Sequence, residues 1–276
     1  MKLKEIPISV YHSLRLRSLP AEKLRSGQGE EAPVVVTLTA IPSRMGRLDL
    51  VIRSLLNQDL LPAKILLWLP ESLRGPLPHR LEELLGGRFE IAYTPLTCPH
   101  KKLIHTLERY PNLPAVTCDD DMIYRRLWLR ELYETSLLHP ECITAHQLRY
   151  IRHGEDGLPL PYSEWVLPAG EVPNPRGLLA IGAGGVLYPP GCLDPRVQDS
   201  PLFLELCPRA DDLWFKAMSL LAGTCVRGTP RRSGEPIPII GSQKTSLKKT
   251  NIGQDGNRLQ WLRLVEYFGL RLEQNS

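Results

Sequence analysis

The sequence predicts an α/β protein built on a mainly parallel sheet flanked by helices. Three observations predict it. Between Val34 and Cys118, apolar β-branched runs alternate with stretches of helical periodicity in the order β-α-β-α-β-α-β, which makes consecutive strands parallel. The chain has 276 residues, 42% hydrophobic and 23% charged, so it can bury a full core and is not disordered as a whole. Two conspicuous loops, "TAIPSR" and "CDDDMIY", follow predicted strands one and four. In open parallel sheets, ligands bind beyond such strand ends.

The elements follow in order. Residues 1–31 read as a leader carrying Lys2, Lys4, Arg15, Arg17, Lys23 and Arg25 among apolar residues. It is either a surface helix packed on the domain or a peripheral contact with a membrane surface. Val34 to Thr39 is a buried-strand run. Leu48, Val51, Ile52, Leu55 and Leu56 share one helix face. "KILLWLP" is strand two, "HRLEELLG" a short helix ending at glycine, and "RFEIAYT" strand three. "HKKLIHTLERYP" is a helix stopped by Pro111, and "PAVTC" is strand four, which delivers Asp119, Asp120 and Asp121.

Beyond them come a helix in "RLWLRELYETSLLHP", a strand in "CITAHQL" and an irregular loop from Arg152 to Arg176. A glycine-rich stretch "LLAIGAGGVLYPPG", a helix "RADDLWFKAMSLLAG", a strand "TCVRG", a polar tail and a last helix near Arg258 to Leu270 complete the chain. No internal repeat or second core is visible, so residues 32–276 read as one domain behind the leader.

Formal net charge is +4. That suits a phosphorylated substrate or an anionic membrane surface and makes no demand for nucleic acid. The six cysteines show no C-x-x-C pair, and the expectation is reduced thiols in a cytoplasmic protein. The start lacks a signal-peptide pattern, and no apolar run approaches the roughly 20 residues of a membrane span.

Three adjacent carboxylates after a buried strand repel one another unless something cationic sits among them. As hard oxygen ligands they suit Mg²⁺ or Mn²⁺, in preference to a helix N-cap, for which one aspartate suffices. Asp211 and Asp212 open a second acidic pair on an amphipathic helix, to be read either as caps or as a general base. Gly182, Gly184 and Gly185 permit close backbone approach to a ligand or simply a tight turn; they form neither a P-loop nor a dinucleotide fingerprint. Lys101 and Lys102 start a helix and read as a diphosphate contact or as solvated surface lysines. Lys244, Lys248 and Lys249 in the polar tail suggest a loop closing over a phosphate-bearing donor, or a surface segment.

Taken in order, "TLTAIPSRMGRLDLVIRSLLNQDLLPAKILLWLP", "KKLI", "VTCDDDMIYRRLWLREL", "ITAHQLR", "IGAGGVLYPPG" and "ADDLWFKAMSLLAG" resemble a glycosyltransferase of the GT-A (Rossmann-like) fold. The likeness is to the broad group around family 2 and to its bacterial surface-polysaccharide and lipopolysaccharide subgroup, over about Pro33 to Trp261. It implies a nucleotide-sugar donor, a glycan or glycolipid acceptor, and Mn²⁺ or Mg²⁺ as cofactor. The resemblance makes Asp119 and Asp121 the D-x-D pair, with Asp121 on the metal and Asp119 acting through water or on the ribose. Asp120 is a supporting residue. Thr39, Ala40, Pro42 and Arg44 would hold the nucleoside, with Lys101 and Lys102 on the diphosphate. Asp212, or Asp211, would deprotonate the acceptor. Gly184 and Gly185 would lie beside sugar and acceptor, with His146 a further contact. The pair is "ADD" where many members have Glu-Asp, which leaves inversion open. The implied location is cytoplasmic, at the inner face of the membrane if the leader touches it.

Two other classes use similar residues. One is a metal-dependent phosphatase or nucleotidyltransferase, though aspartyl-phosphate phosphatases place their acidic motif after strand one. The other is a non-catalytic sugar-nucleotide-binding domain, against which the acidic cluster argues.

Overall fold

The structure is a computed structural model that describes residues 5–230, 234–242 and 255–272. Lys244, Lys248 and Lys249 lie outside the described residues. The leader forms helices α1 (Ile6–Ser18) and α2 (Ala21–Ser26). The alternating half follows as β1 (Glu30–Thr39), α3 (Leu48–Leu56), β2 (Leu60–Pro70), α4 (His79–Glu82), β3 (Phe89–Thr94), α5 (Lys101–Arg109) and β4 (Ala115–Thr117). The second half comprises β5 (Met122–Ile123), α6 (Trp128–Leu138), β6 (Ile143–Ala145), β7 (Leu148–Tyr150), β8 (Leu178–Ala180), β9 (Val186–Tyr188), α7 (Ser200–Leu206), α8 (Asp211–Leu221), β10 (Val226–Gly228), β11 (Ile237–Pro238) and α9 (Gly256–Phe268).

This is the α/β class the sequence predicts: a seven-stranded, mostly parallel, Rossmann-like sheet flanked by helices. Its order is β10-β6-β9-β4-β1-β2-β3. β1 pairs in parallel with β2 and β4, and β2 with β3. Only β9 runs against its neighbours β4 and β6. Small two-stranded ribbons, β11 with β5 and β7 with β8, flank the main sheet.

Strand alternation sends neighbouring side chains to opposite faces. Val34, Val36, Leu38, Val116 and Leu187 join one core with α3 and α6. Ala115, Val186 and Tyr188 join the other, with α5, α7, α8 and α9. Helices therefore cover both faces, which is why the central strands read as continuous apolar runs.

The leader belongs to the packed body. Leu16 of α1 and Leu24 of α2 are buried with α3, and Arg17 clamps the buried Asp49 through two hydrogen bonds of 3.0 and 3.1 Å. "HRLEELLG" is helical only over His79–Glu82.

One expectation is corrected. Cys142 and Cys225 form a disulfide across 83 residues of sequence. Each immediately precedes a strand, and those strands pair in parallel with Ile143 opposite Val226, so the two cysteines face one another. Sequence spacing carries no trace of that register. Cys98, Cys118, Cys192 and Cys207 are buried free thiols. No described helix is long and apolar enough to cross a membrane.

Candidate functional site

β1 and β4 are neighbours in the sheet, so the loops that leave their ends meet. The Ile41 N–H donates to Asp120 Oδ2 at 3.1 Å. Arg44, in the 3₁₀ turn Pro42–Arg47, pairs with Asp120 and, at 3.0 Å, with Asp121. Burial pushes the Asp120 carboxyl up, and Arg44 offsets only part of that push. The first loop thus supplies the cation that two of the three aspartates need. Of the other loop residues, the Thr39 hydroxyl donates to the Trp68 carbonyl at 2.7 Å, Ala40 is buried and Pro42 opens the turn.

The third aspartate finds a different cation. Lys102 Nζ, buried at the start of α5, lies 3.1 Å from Asp119 Oδ1 and 3.1 Å from Asp211 Oδ2. Burial alone would lower its pKa, but Asp119, Asp211 and Asp212 overrule it and hold the ammonium well above its ordinary value. One side chain therefore ties the acidic turn after β4 to the acidic start of α8. Neither lysine is a surface residue. Lys101 is also buried, and its ammonium donates to the carbonyls of Thr97 and Cys98 at 3.1 and 3.2 Å.

The two α8 aspartates sit side by side with opposite character. Burial pushes Asp211 up, yet Lys102 dominates with its neighbours and leaves it below the usual carboxylate range. Burial, then the adjacent Asp211, drives Asp212 up to about 8. Asp212 Oδ1 accepts from the Gly182 N–H at 3.1 Å. That bond joins α8 to the glycine stretch, and a Cβ on Gly182 would fall 2.9 Å from the same oxygen.

Gly184 and Gly185 hold the next turn against α6. The Trp128 indole N–H donates to the Gly184 carbonyl at 2.7 Å. Gly185 has φ +105°, and a Cβ there would lie 2.5 Å from Trp128 Nε1, so this position requires glycine. His146 is buried, with Nε2 2.8 Å from the Trp128 carbonyl and Nδ1 2.6 Å from Thr229 Oγ1. It positions this wall and has both ring nitrogens engaged.

Tyr124 and Trp128 carry no motif and were missed by sequence reasoning. The Asp119 N–H donates to the Tyr124 hydroxyl at 2.8 Å, and that hydroxyl in turn contacts the Ala183 carbonyl at 3.4 Å. The available signal was weak: two aromatics one helical turn apart, directly after the acidic turn.

A cleft of about 390 Å³, walled by Met122, His146, Gly184, Ile237 and, from α1, Ile8, reaches the chain next to the acidic turn at Met122, although among the described residues none of the five aspartates lines it. One edge is set by β11, whose Ile237 and Pro238 pair with Ile123 and Met122. The Ile239 N–H then donates to the Asp121 carbonyl at 2.9 Å.

Asp119, Asp120, Asp121 and Asp211 stand with Arg44, Lys102 and the nearby Lys101, while Asp212, pushed up to about 8, carries little charge at neutral pH, so the site is rich in hard oxygen donors with only a small excess of negative charge. Asp119 is the most open of the three in the turn, with about 34% of its side chain exposed. Among the described residues, the one group of three acidic, His or Cys ligand atoms within 4.8 Å of one another is Glu141 with the two disulfide cysteines. The aspartates therefore form no closed cage. Mg²⁺ or Mn²⁺, which take one or two carboxylates and complete their shell with water and substrate phosphates, are compatible with such an open set, with Asp119 and Asp121 also paired to Lys102 and Arg44.

No family model and no curated protein sequence matches the chain. Among solved structures it is similar to 4-diphosphocytidyl-2C-methyl-D-erythritol synthase from Anaerococcus prevotii DSM 20548, at 12% identity, over 86% of this chain and 98% of that one, with a TM-score of 0.45.

Proposed function

We propose that this chain is a metal-dependent glycosyltransferase of the GT-A type, which moves a sugar from a nucleotide-sugar donor to a hydroxyl of a glycan or glycolipid acceptor in bacterial surface-polysaccharide synthesis. The supporting observation is the Lys102 bridge between Asp119 and Asp211. It holds a candidate diphosphate-and-metal clamp and a candidate base in one site, although 92 residues separate them in sequence.

Asp119 and Asp121 are the residues that would hold the cation, with Asp120 locked behind them by Ile41 and Arg44. When bound, the cation neutralises charge developing on the leaving diphosphate. The nucleoside would lie along Thr39, Ala40, Pro42 and Arg44. Lys102 orients Asp119 and keeps Asp211 ionised, and Lys101 fixes the loop before α5. Asp212 is the candidate base: its carboxyl, pushed up to about 8, accepts a proton readily once it has lost its own, so base catalysis through it grows as pH rises toward that value. Asp211, clamped by Lys102, is the weaker candidate. The acceptor hydroxyl would approach through the cleft beside Gly184 and Gly185. Residues 1–31 would be a leader to the transferase domain of 32–276; the location would be cytoplasmic, at the membrane's inner face if the leader touches it, although the Cys142–Cys225 disulfide is uncommon in a reducing compartment.

The test is a thermal-shift panel of UDP, GDP and their sugar conjugates with and without Mn²⁺, followed by mass spectrometry of transfer to candidate glycans. A cognate nucleotide raises the melting temperature by mass action only when Mn²⁺ or Mg²⁺ is present. No shift from any nucleotide, with or without metal, sinks the reading.

A further inference from the structure

A second cavity, of about 260 Å³, opens between α1 and the turn after β5. His12 and Arg15 of α1 line one side, and Arg125, Arg126 and Leu127 line the other. Among the described residues no acidic one lines it, although Arg15 and Arg126 also border a neighbouring hollow shared with Glu22. Among the described residues none of the three arginines makes an ion pair; Arg125 donates only to the Glu235 backbone carbonyl, at 3.0 Å. Burial and then the charges of Arg125 and Arg15 lower the His12 pKa, so these cations converge on the cavity from both walls. Three arginines facing one hollow without a carboxylate repel one another, and an anionic ligand removes that repulsion.

The helix beside the cavity is oriented against the ordinary rule. α1 buries Ser9 and Leu16 and leaves Tyr11 61% and Leu14 67% exposed. Val10 and Ile6 are exposed on the adjoining flank. A helix whose sole partner is the core turns its largest apolar side chains inward. Tyr11 stands edge-on to the cavity-lining His12 with ring centroids 5.2 Å apart, so the exposed Tyr11 end of this apolar face lies next to the cavity. Leu127, also exposed, forms the opposite rim.

We propose that this cavity receives the phosphate headgroup of an anionic membrane phospholipid, with Tyr11, Leu14 and Leu127 resting in the interfacial layer around it. Arginines below an apolar rim match a phosphate that lies at the same depth as the first acyl carbons. A second copy of this chain is a poor occupant, because a two-fold contact through this face would set the same three arginines against each other. The surface shares Arg125 and Ile237 with the 390 Å³ cleft, so membrane docking would bring that cleft against the bilayer. This inference deepens the membrane location of the proposed function; lipid binding here requires neither metal nor nucleotide, so its failure and that of the sugar-transfer reading are distinguishable.

Vesicle flotation of the full chain tests it, using phosphatidylcholine alone or with phosphatidylglycerol added. Wild type floats with the anionic vesicles, stays in solution with the neutral ones, and is released as salt rises. Arg15→Gln/Arg126→Gln and Tyr11→Ser/Leu14→Ser each reduce flotation by roughly tenfold or more, with circular dichroism melts confirming folding. Arg126→Gln alone, at an exposed side chain, serves if the pairs do not fold. Wild-type protein that does not float, floats equally with both vesicles, or floats unchanged after these substitutions overturns the proposal. Thermal stabilisation by inorganic phosphate without vesicle binding, or self-association lost on Tyr11→Ser, overturns the lipid assignment as well.

Discussion

Lys102 and Asp211 form a buried ion pair, 3.1 Å from Nζ to Oδ2, at the junction of α5 and α8. The same ammonium holds Asp119. A cation shared by two carboxylates from distant segments serves stability and the site at once. Removing one partner of such a pair leaves the other charge buried.

Lys102→Met is therefore expected to destabilise the fold by about 3–5 kcal/mol, read as a fall in the urea midpoint at constant slope. Metal-dependent nucleotide binding falls with it. A variant that keeps the wild-type midpoint would show that the ammonium is not a structural tie.

Asp119→Ala separates chemistry from folding, because Asp119 is a third exposed. Its melting temperature falls less than that of Lys102→Met, because Asp211 still pairs the buried ammonium, while Mn²⁺-dependent nucleotide stabilisation and transfer are lost. Asp121→Ala loses the same activity and also stability, since it leaves the half-buried Arg44 with fewer partners. Paired melting and binding curves distinguish the two variants. Full activity in Asp119→Ala would remove that residue from the metal site.

Asp212 must lose its proton to act as a base. With its carboxyl pushed up to about 8 by burial and Asp211, kcat rises with pH through an acid limb at or below about 8. Asp212→Asn lowers kcat far more than it weakens donor binding. A kcat–pH profile and a donor titration on both proteins check this, and an unchanged kcat moves the base elsewhere.

His100 provides a stability test. It is buried and stacked on Phe203 at 4.3 Å, and burial lowers its pKa to about 4. An unfolded histidine titrates near 6.5, so between those values the unfolded chain binds more protons. Stability from this group is complete above pH 6.5 and is lost as pH falls toward 4, by at most about 3 kcal/mol. Asp212, shifted upward, works in the opposite sense over that range. The comparison is therefore between wild type and His100→Phe, whose stability difference should shrink the acid slope by this amount. Identical slopes would assign the acid sensitivity to other groups.

Gly185→Ala combines a φ of +105° with a Cβ 2.5 Å from the Trp128 indole nitrogen. It should cost about 2 kcal/mol or more. A melting temperature equal to wild type would mean that α6 yields without cost.

The β-α-β-α-β-α-β half was legible because each apolar run is long enough to show its period. The carboxylate turn was legible because its three like charges are adjacent. The pairing of these charges was not legible: Arg44, expected as a nucleoside contact, lies 76 residues from Asp120, and Lys102 reads in the sequence as a diphosphate contact or as half of a solvated surface doublet, not as the partner of Asp119 and Asp211. Their partners are fixed by strand order, which propensity does not encode. The same holds for Cys142 and Cys225, joined by the register of two short parallel strands. The small ribbons β5–β11 and β7–β8 were missed because their two or three residues sit inside loop-like, polar or glycine-rich stretches, unlike the equally short β4, β6 and β10, which lie in β-branched stretches.

The one antiparallel strand of the described seven-stranded sheet, β9, has a consequence for biosynthesis. β4 is complete at Thr117, but β9, which covers its open side, ends at Tyr188. A ribosome adding about 5–20 residues per second needs roughly 4 to 14 s to cross that gap. Throughout it the nascent β3-β2-β1-β4 sheet exposes an apolar pairing edge. Binding by a trigger-type chaperone during those seconds, and aggregation of chains truncated between residues 118 and 186, follow from the position of β9 in the sheet.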